Sequence, residues 1–277
     1  MSLMTAGTLP LASLLAAAVP LIREAGALVM RVYATDFAVE IKGDESPVTV
    51  ADQCAEKVIF EGLRRLTPAV PIVGEEAASA GDIPDVSNRF WLVDPIDGTK
   101  EFINRNGEFT VNIALVDHGV PVLGLVLAPA LGRLFAGAAG AGAWVEDHAG
   151  RRAIAVRVPP AEGLTVVGSR HHGDDTAVTA LLAGRRIAAH RTVGSSLKLC
   201  LVAEGAADVY PRFGRTMEWD TAAGDAVLRA AGGAVRTLAG ELLAYAKPGF
   251  ENPDFAAWGA AEPVDRAVGD GRAGTGS

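Results

Sequence analysis

The sequence predicts an α+β protein whose first half is built on an antiparallel sheet and whose second half alternates strand with helix. Three observations carry this. From Phe109 to Val158 the chain strings together apolar, strand-like runs joined by short turns, with no helix between them, which calls for an antiparallel meander. From Leu164 onward strands and helices take turns in the βαβ manner. Ahead of both, Phe90-Trp91-Leu92-Val93 runs unbroken into Asp94-Pro95-Ile96-Asp97-Gly98-Thr99, the pattern of a buried strand that delivers acids at its C-terminal end, where open sheets place their ligands.

With 277 residues, 49% of them hydrophobic and 21% charged, the chain can bury a large core and is neither disordered nor coiled. Leu9 to Ile22 is almost entirely apolar, but no basic segment precedes it. Pro20, Arg23 and Glu24 end the run short of the ~20 residues of a membrane span, so no transmembrane segment is expected. Leu11, Leu14, Leu15, Ala18, Leu21, Ile22, Ala25, Leu28, Val29 and Val32 keep helical spacing, which gives an amphipathic helix kinked or split at Pro20.

Ala38 to Lys42 alternates as a short strand, and after a loop Thr49 or Asp52 caps a helix whose apolar face is Ala55, Val58, Ile59 and Leu63 up to Leu66. Val70 to Val73 is a second short strand that ends in acids, Glu75 and Glu76. If it lies beside Asp94, Glu75 joins the acid cluster and Glu76 faces solvent. Residues from Ala77 to Asn88 read as a surface connection. Phe109 to Val116 and Val120 to Ala128 form a hairpin around Asp117-His118-Gly119, continued by Leu131 to Ala138 and Gly142 to Glu146, with an edge strand at Ala153 to Val158.

The second half opens with a strand at Leu164 to Gly168, then a helix at Asp174 to Ala183, a strand at Arg186 to Val193 and a helix at Ser195 to Glu204. Ala207 to Tyr210 is a strand, and Trp219-Asp220 opens a helix at Thr221 to Ala231, stopped by Gly232-Gly233. The division falls at Pro159-Pro160, between a half at 1–158 and a half at 159–261, with a disordered tail at 262–277.

The chemistry follows from oxygen. Pro95 stiffens the link between Asp94 and Asp97 so that both carboxylates converge on one cation, with the Ile96 carbonyl as a further hard donor. Gly98 lets backbone approach closely, and Thr99 adds a hydroxyl beside amides suited to phosphate. Oxygen ligands without His or Cys select magnesium or manganese over zinc. A net charge of −8 argues against a nucleic-acid polymer and leaves room for a small anion in a local basic pocket. Cys54 and Cys200 form no metal or disulfide pattern, which suits a reduced, cytoplasmic protein; peripheral contact at the inner membrane is left open. His118 and His148 fall in turns, whereas His171 and His172 could face a ligand.

Gly74-Glu75-Glu76, Asp94 to Thr99 and Trp219-Asp220-Thr221-Ala222-Ala223-Gly224 resemble, in the right order, the three metal motifs of the magnesium-dependent, lithium-sensitive inositol monophosphatase superfamily. Ser46 to Thr49, Gly98 to Phe102, Asn106 to Ala114, Gly194 to Lys198 and Tyr210 to Phe213 resemble its bacterial branch that acts on 3′(2′),5′-bisphosphorylated nucleotides. The resemblance implies a layered α/β/α/β/α sandwich, sugar-phosphatase-like, with the site between the halves. It implies two or three Mg2+ ions held by Glu75, Asp94, the Ile96 carbonyl, Asp97 and Asp220. Asp52 and Thr99 would orient or deprotonate the attacking water, completing a catalytic set with Glu75. Substrate contacts are implied at Gly98, Thr99, Ser195, Ser196, Lys198, Arg212 and Asp220, and the substrate is adenosine 3′,5′-bisphosphate, a sulfur-metabolism by-product.

Competing readings are an inositol monophosphatase-like sugar phosphatase on the same scaffold and a metal- and nucleotide-binding module without turnover. An aspartyl-phosphate enzyme places its two acids two residues apart; Asp94 and Asp97 are three apart. Oligomeric state is not readable from the sequence.

Overall fold

The computed structural model describes residues 9–41, 47–86, 88–169 and 175–260. Helices α1 (Leu11–Tyr33) and α2 (Val50–Leu66) pack on each other and form the first layer. α1 buries Leu14, Leu15, Ala18, Leu21, Ile22, Ala25 and Val29, the stripe the spacing predicts. It runs unbroken through Pro20. The expected split does not occur because the proline ring is on the exposed side, while Leu21 and Ile22 hold the helix on the core. Among the described residues it is the one helix long and apolar enough to cross a membrane, yet its stripe is consumed by α2 and the first sheet.

That sheet has seven strands in the order β3 (Ile72–Gly74), β4 (Arg89–Asp97), β5 (Thr110–Asp117), β6 (Val120–Ala128), β7 (Arg133–Ala138), β8 (Gly142–Asp147) and β9 (Gly150–Ile154). Only the β3–β4 pair is parallel. A small hairpin of β1 (Val39–Ile41) and β2 (Pro47–Thr49) stands apart. The sheet alternates with a period of two: Trp91, Val93, Ile113 and Leu125 join α1 and α2, while Phe90, Leu92, Ala114 and Val126 face the opposite side. Each large aromatic buried this way contributes roughly 1.5–3 kcal/mol.

The opposite face is covered by α6 (Leu197–Ala203) and α7 (Glu218–Ala230), which also back a five-stranded sheet. Its order is β11 (Ile187–Thr192), β10 (Leu164–Gly168), β12 (Val209–Arg212), β14 (Phe255–Trp258), β13 (Ala234–Thr237), with β10 parallel to both neighbours and the rest antiparallel. α5 (Asp175–Leu181) closes the outside over Leu164, Val166, Val209 and Trp258. The layers therefore read α/β/α/β/α, as expected.

Several boundaries differ from the sequence reading. The edge strand expected at Ala153 to Val158 is Gly150–Ile154, because the turn after Asp147, closed by Ala149 N–H on Asp147 Oδ1 (2.9 Å), sends the chain straight back along β8. The connection after Glu76 contains a short helix, α3 (Glu75–Ser79). α7 begins at Glu218, three residues early, and β13 and β14 were not anticipated. At Pro159-Pro160 the crossing is pinned from both sides: Arg157 makes a two-pronged pair with Asp208 (2.9 and 2.7 Å), whose Oδ2 also accepts Thr165 N–H (2.7 Å). His118 and His148 are exposed turn residues. His171, His172 and the tail at 262–277 lie outside the described residues.

Candidate active site

The site begins with an irregularity in β4. Residues three apart on a regular strand point to opposite faces. Here Asp94 pairs with Asn112 and Asp97 with Thr110, so three steps on β4 oppose two on β5. Pro95, with no N–H to give the ladder, lies in this bulge. The extra residue re-aims Asp97 to the side of Asp94, and Gly98 then turns the chain with φ 87° into α4 (Thr99–Ile103). A side chain at 98 would be strained by that φ. Behind it Phe102 and Phe109 lock α4 against Tyr33, with ring centroids 5.0–5.1 Å apart.

Three further acids arrive at helix starts, where backbone N–H groups favour negative charge. Asp52 is the third residue of α2; its Oδ2 accepts both the N–H and the hydroxyl of Thr49 (2.8 Å each). Thr49, not Asp52, is the cap, and Asp52 lies near enough to Asp94 for its charge to act on it. Glu75 opens α3. That helix is held by the buried Glu56 of α2, whose carboxylate accepts the N–H groups of Glu76 and Ala77 (2.9 Å each). Asp220 sits in the first turn of α7 and accepts Met217 N–H (2.8 Å); the cap position itself is Met217.

Asp94 is 1% exposed. Its Oδ1 accepts Ile96 N–H (3.0 Å), and its Oδ2 is buried without a partner. Burial first, then the charges of Glu75, Asp97, Asp220 and Asp52, push its carboxyl well above the usual carboxylate range. Burial, Asp97 and Glu75 do the same to Asp220, against the Met217 N–H and Arg212. Among the described residues no three His, Cys, Asp or Glu side chains close a coordination cage by themselves; the acids stay within electrostatic reach of one another without converging. An all-oxygen set with a buried orphan oxygen and uncompensated charge fits a hard divalent cation. Thr99 Oγ1 donates to Ile96 O (3.3 Å), the carbonyl expected to face the metal.

Two cations line a cavity together with Asp97 and Asp220. Its volume is about 210 Å³, and its lining includes Asp97, Thr99, Glu101, Ser195, Lys198 and Arg212. Lys198 is 5% exposed; its Nζ donates to Ser195 O (2.6 Å) and Val193 O (3.3 Å) and lies 5.2 Å from the Tyr210 ring centroid. Burial pulls its pKa down to about 8, opposed by Asp97, Glu101 and Glu108 and assisted by Arg212. Arg212 spends Nη2 on Arg215 O (2.7 Å), while its buried Nε has no partner. Ser195, with φ 52°, holds the strained corner beneath Lys198.

Ser196 lines the cavity and is tied to the acids. It is 2% exposed. Its N–H and hydroxyl both reach Asp97 Oδ2, the hydroxyl at 2.6 Å; the oxygen also lies 2.9 Å from Asp220 O and accepts Asn112 Nδ2 (2.9 Å). These bonds make it a support of Asp97 at the cavity wall. The sequence reading missed Glu56 and Asn112 as supports, and Glu101 as a wall of the cavity. A carboxylate on the buried face of α2, at the spacing of Asp52, was the available signal for Glu56; Asn112 had only its place inside an apolar strand.

The comparisons agree with this geometry. Residues 11–266 match the model of the inositol monophosphatase family. The 3′(2′),5′-bisphosphate nucleotidase CysQ of Escherichia coli is 49% identical over 240 residues, 85% of this chain and 95% of that protein; its Haemophilus influenzae counterpart is 32% identical over 84% and 87%. Among solved structures, CysQ from Bacteroides thetaiotaomicron superposes with a TM-score of 0.78 at 35% identity, covering 92% of this chain and all of that one. An IMPase from Thermotoga maritima gives 0.73 at 27% identity, covering 89% and 92%. A shared fold and a family match across nearly the whole chain lead to one statement: this protein belongs to the inositol monophosphatase family.

Proposed function

We propose that the protein is a magnesium-dependent phosphatase that hydrolyses the 3′-phosphate of adenosine 3′,5′-bisphosphate, giving AMP and inorganic phosphate. The observation that carries this reading is a single cavity lined by both acids and cations. Asp97 and Asp220 line it beside the buried Asp94, whose Oδ2 is unpaired; Lys198 and Arg212 line it as well, with Arg212 Nε unpaired. The acids suit metal cations that take the scissile phosphate, Lys198 and Arg212 a phosphate that is not cleaved. A monophosphate would leave a buried guanidinium N–H unsatisfied, at a cost of about 1–3 kcal/mol. The nucleotidases it resembles are named for such a bisphosphorylated nucleotide.

Metal dependence comes with the family, magnesium being its general cation. We assign two or three ions to Glu75, Asp94, the Ile96 carbonyl, Asp97 and Asp220. When bound, magnesium supplies neutralising charge to the phosphate and lowers the pKa of a water. Asp52, anchored by Thr49, serves as the acceptor of that water's proton; the Thr99 hydroxyl, donating to Ile96 O, keeps oxygen lone pairs to orient it. Glu75 shares in both tasks. Gly98 and Thr99 meet the scissile phosphate, and Ser195, Lys198 and Arg212 the other. Residues 1–158 and 159–261 act as two halves that share the site. The place of action is the cytoplasm, where Cys54 and Cys200 remain free thiols; the reading needs no membrane contact, and peripheral attachment is not carried forward.

The test is phosphate release with and without magnesium from adenosine 3′,5′-bisphosphate, inositol 1-phosphate and fructose 1,6-bisphosphate. The bisphosphorylated nucleotide should give the highest kcat/KM. A higher value on inositol 1-phosphate would move the protein to the sugar-phosphatase reading, and no magnesium-dependent release from any of the three would leave a binding module.

A further inference from the structure

Glu101 is a buried carboxylate that the chemistry above does not use. It lies in the first turn of α4, is 7% exposed, and lines the cavity. Among the described residues its carboxylate makes no hydrogen bond or ion pair, although a buried carboxylate is costly without a partner. Its location is fixed from three sides. A Cβ at Gly98 would stand 3.3 Å from its Oε2, and a Cβ at Gly194 would stand 2.7 Å from its Cγ. Its charge is also felt by Lys198. It therefore stands in the cavity wall with Gly98 on one side and Gly194 and Lys198 on the other.

A carboxylate repels phosphate, so neither phosphate of the nucleotide belongs against it. What lies between two phosphates on the 3′ and 5′ positions is the sugar. The 2′-hydroxyl is the one hydrogen-bond donor on that sugar, and it neighbours the scissile group. We propose that Glu101 is a specificity-determining residue that accepts a hydrogen bond from the ribose 2′-hydroxyl, so that the site selects ribonucleotide over deoxyribonucleotide bisphosphates. This rests on the bisphosphate reading of the same cavity.

The test compares kcat/KM for adenosine 3′,5′-bisphosphate and its 2′-deoxy analogue in the wild-type protein, Glu101→Gln and Glu101→Ala, with magnesium saturating. A hydrogen bond to a charged acceptor predicts a wild-type preference for the ribonucleotide of about tenfold to a hundredfold. The ratio should fall toward one in Glu101→Ala and lie between in Glu101→Gln, which keeps an acceptor oxygen. Equal ratios in the wild type and Glu101→Ala overturn the proposal. So does a wild type that turns over both nucleotides equally, a result that needs no variant to fold. A shifted pH profile with an unchanged ratio would make Glu101 a partner of Lys198 and overturn it too. If the wild type releases phosphate from neither nucleotide, the bisphosphate reading itself fails.

Discussion

Replacing Ser196 with alanine separates support of an acid from contact with substrate. The hydroxyl gives Asp97 Oδ2 a 2.6 Å hydrogen bond and accepts Asn112 Nδ2. A hydrogen bond to a charged acceptor is worth about 1.5–3 kcal/mol. Lost at the proposed cation ligand Asp97, this should appear as a roughly 10- to 100-fold fall in kcat and a higher magnesium requirement, with KM for nucleotide little changed. The same change leaves the Asn112 amide without any partner, since its Oδ1 already has none. That costs stability about 1–3 kcal/mol, and at about 2–4 °C per kcal/mol Tm should drop visibly. Phosphate release across a magnesium titration, beside a thermal melt, measures both. A lower Tm with unaltered kcat and magnesium dependence would refute the positioning role. A pure rise in KM would restore the substrate contact that the motif suggested.

Three other outcomes follow from the same geometry. Asp94→Asn should abolish turnover while the protein stays folded, with equal or higher Tm in the absence of metal because it relieves crowded charge; near-normal magnesium-dependent turnover would show that Asp94 is no ligand. Lys198→Ala and Arg212→Ala should each cost about 1.5–3 kcal/mol in kcat/KM on the bisphosphate and much less on adenosine 3′-monophosphate, and equal losses on both would place these cations on the scissile phosphate or in the fold. Lys198 has a pKa drawn down from 10.5 to about 8, so its charge is present below that value and lost as pH rises through it. The wild-type kcat/KM for the bisphosphate, which reports the free enzyme, should therefore fall through pH 8, a limb absent from Lys198→Ala; a flat wild-type profile to pH 10 would contradict it.

Where function and local pattern coincide, the sequence is a good guide. Four apolar residues followed by Asp-Pro-Ile-Asp-Gly-Thr announce a buried strand and a turn, and both are found at β4, with a bulge at Pro95 that the pattern does not announce. The β5–β6 hairpin follows from alternation and a short polar turn in the same way. β13 and β14 escape notice because four-residue strands carry too little periodicity, and their place is set by partners far along the chain. α3 is equally silent: its first turn is stabilised by Glu56, nineteen residues before Glu75, rather than by its own residues. Ser196 is a related case. Motif resemblance names a residue near the site, but only packing tells whether its hydroxyl faces the ligand or the acid beside it.

The position of α7 has a consequence for how such a chain can be divided. In sequence it belongs to the second half, yet it lies across β5 and β6 of the first and, at its start, carries Asp220. A cut at Pro159-Pro160 would therefore yield two fragments that are each unfinished. The first would expose the apolar face of Phe90, Leu92 and Val126 to water, and the second would hold a helix with nothing to rest on. Neither could be inherited, shuffled or exchanged as a module. Active-site assembly and completion of the central layer are one event, so a chain that has buried its core has also brought its acids together.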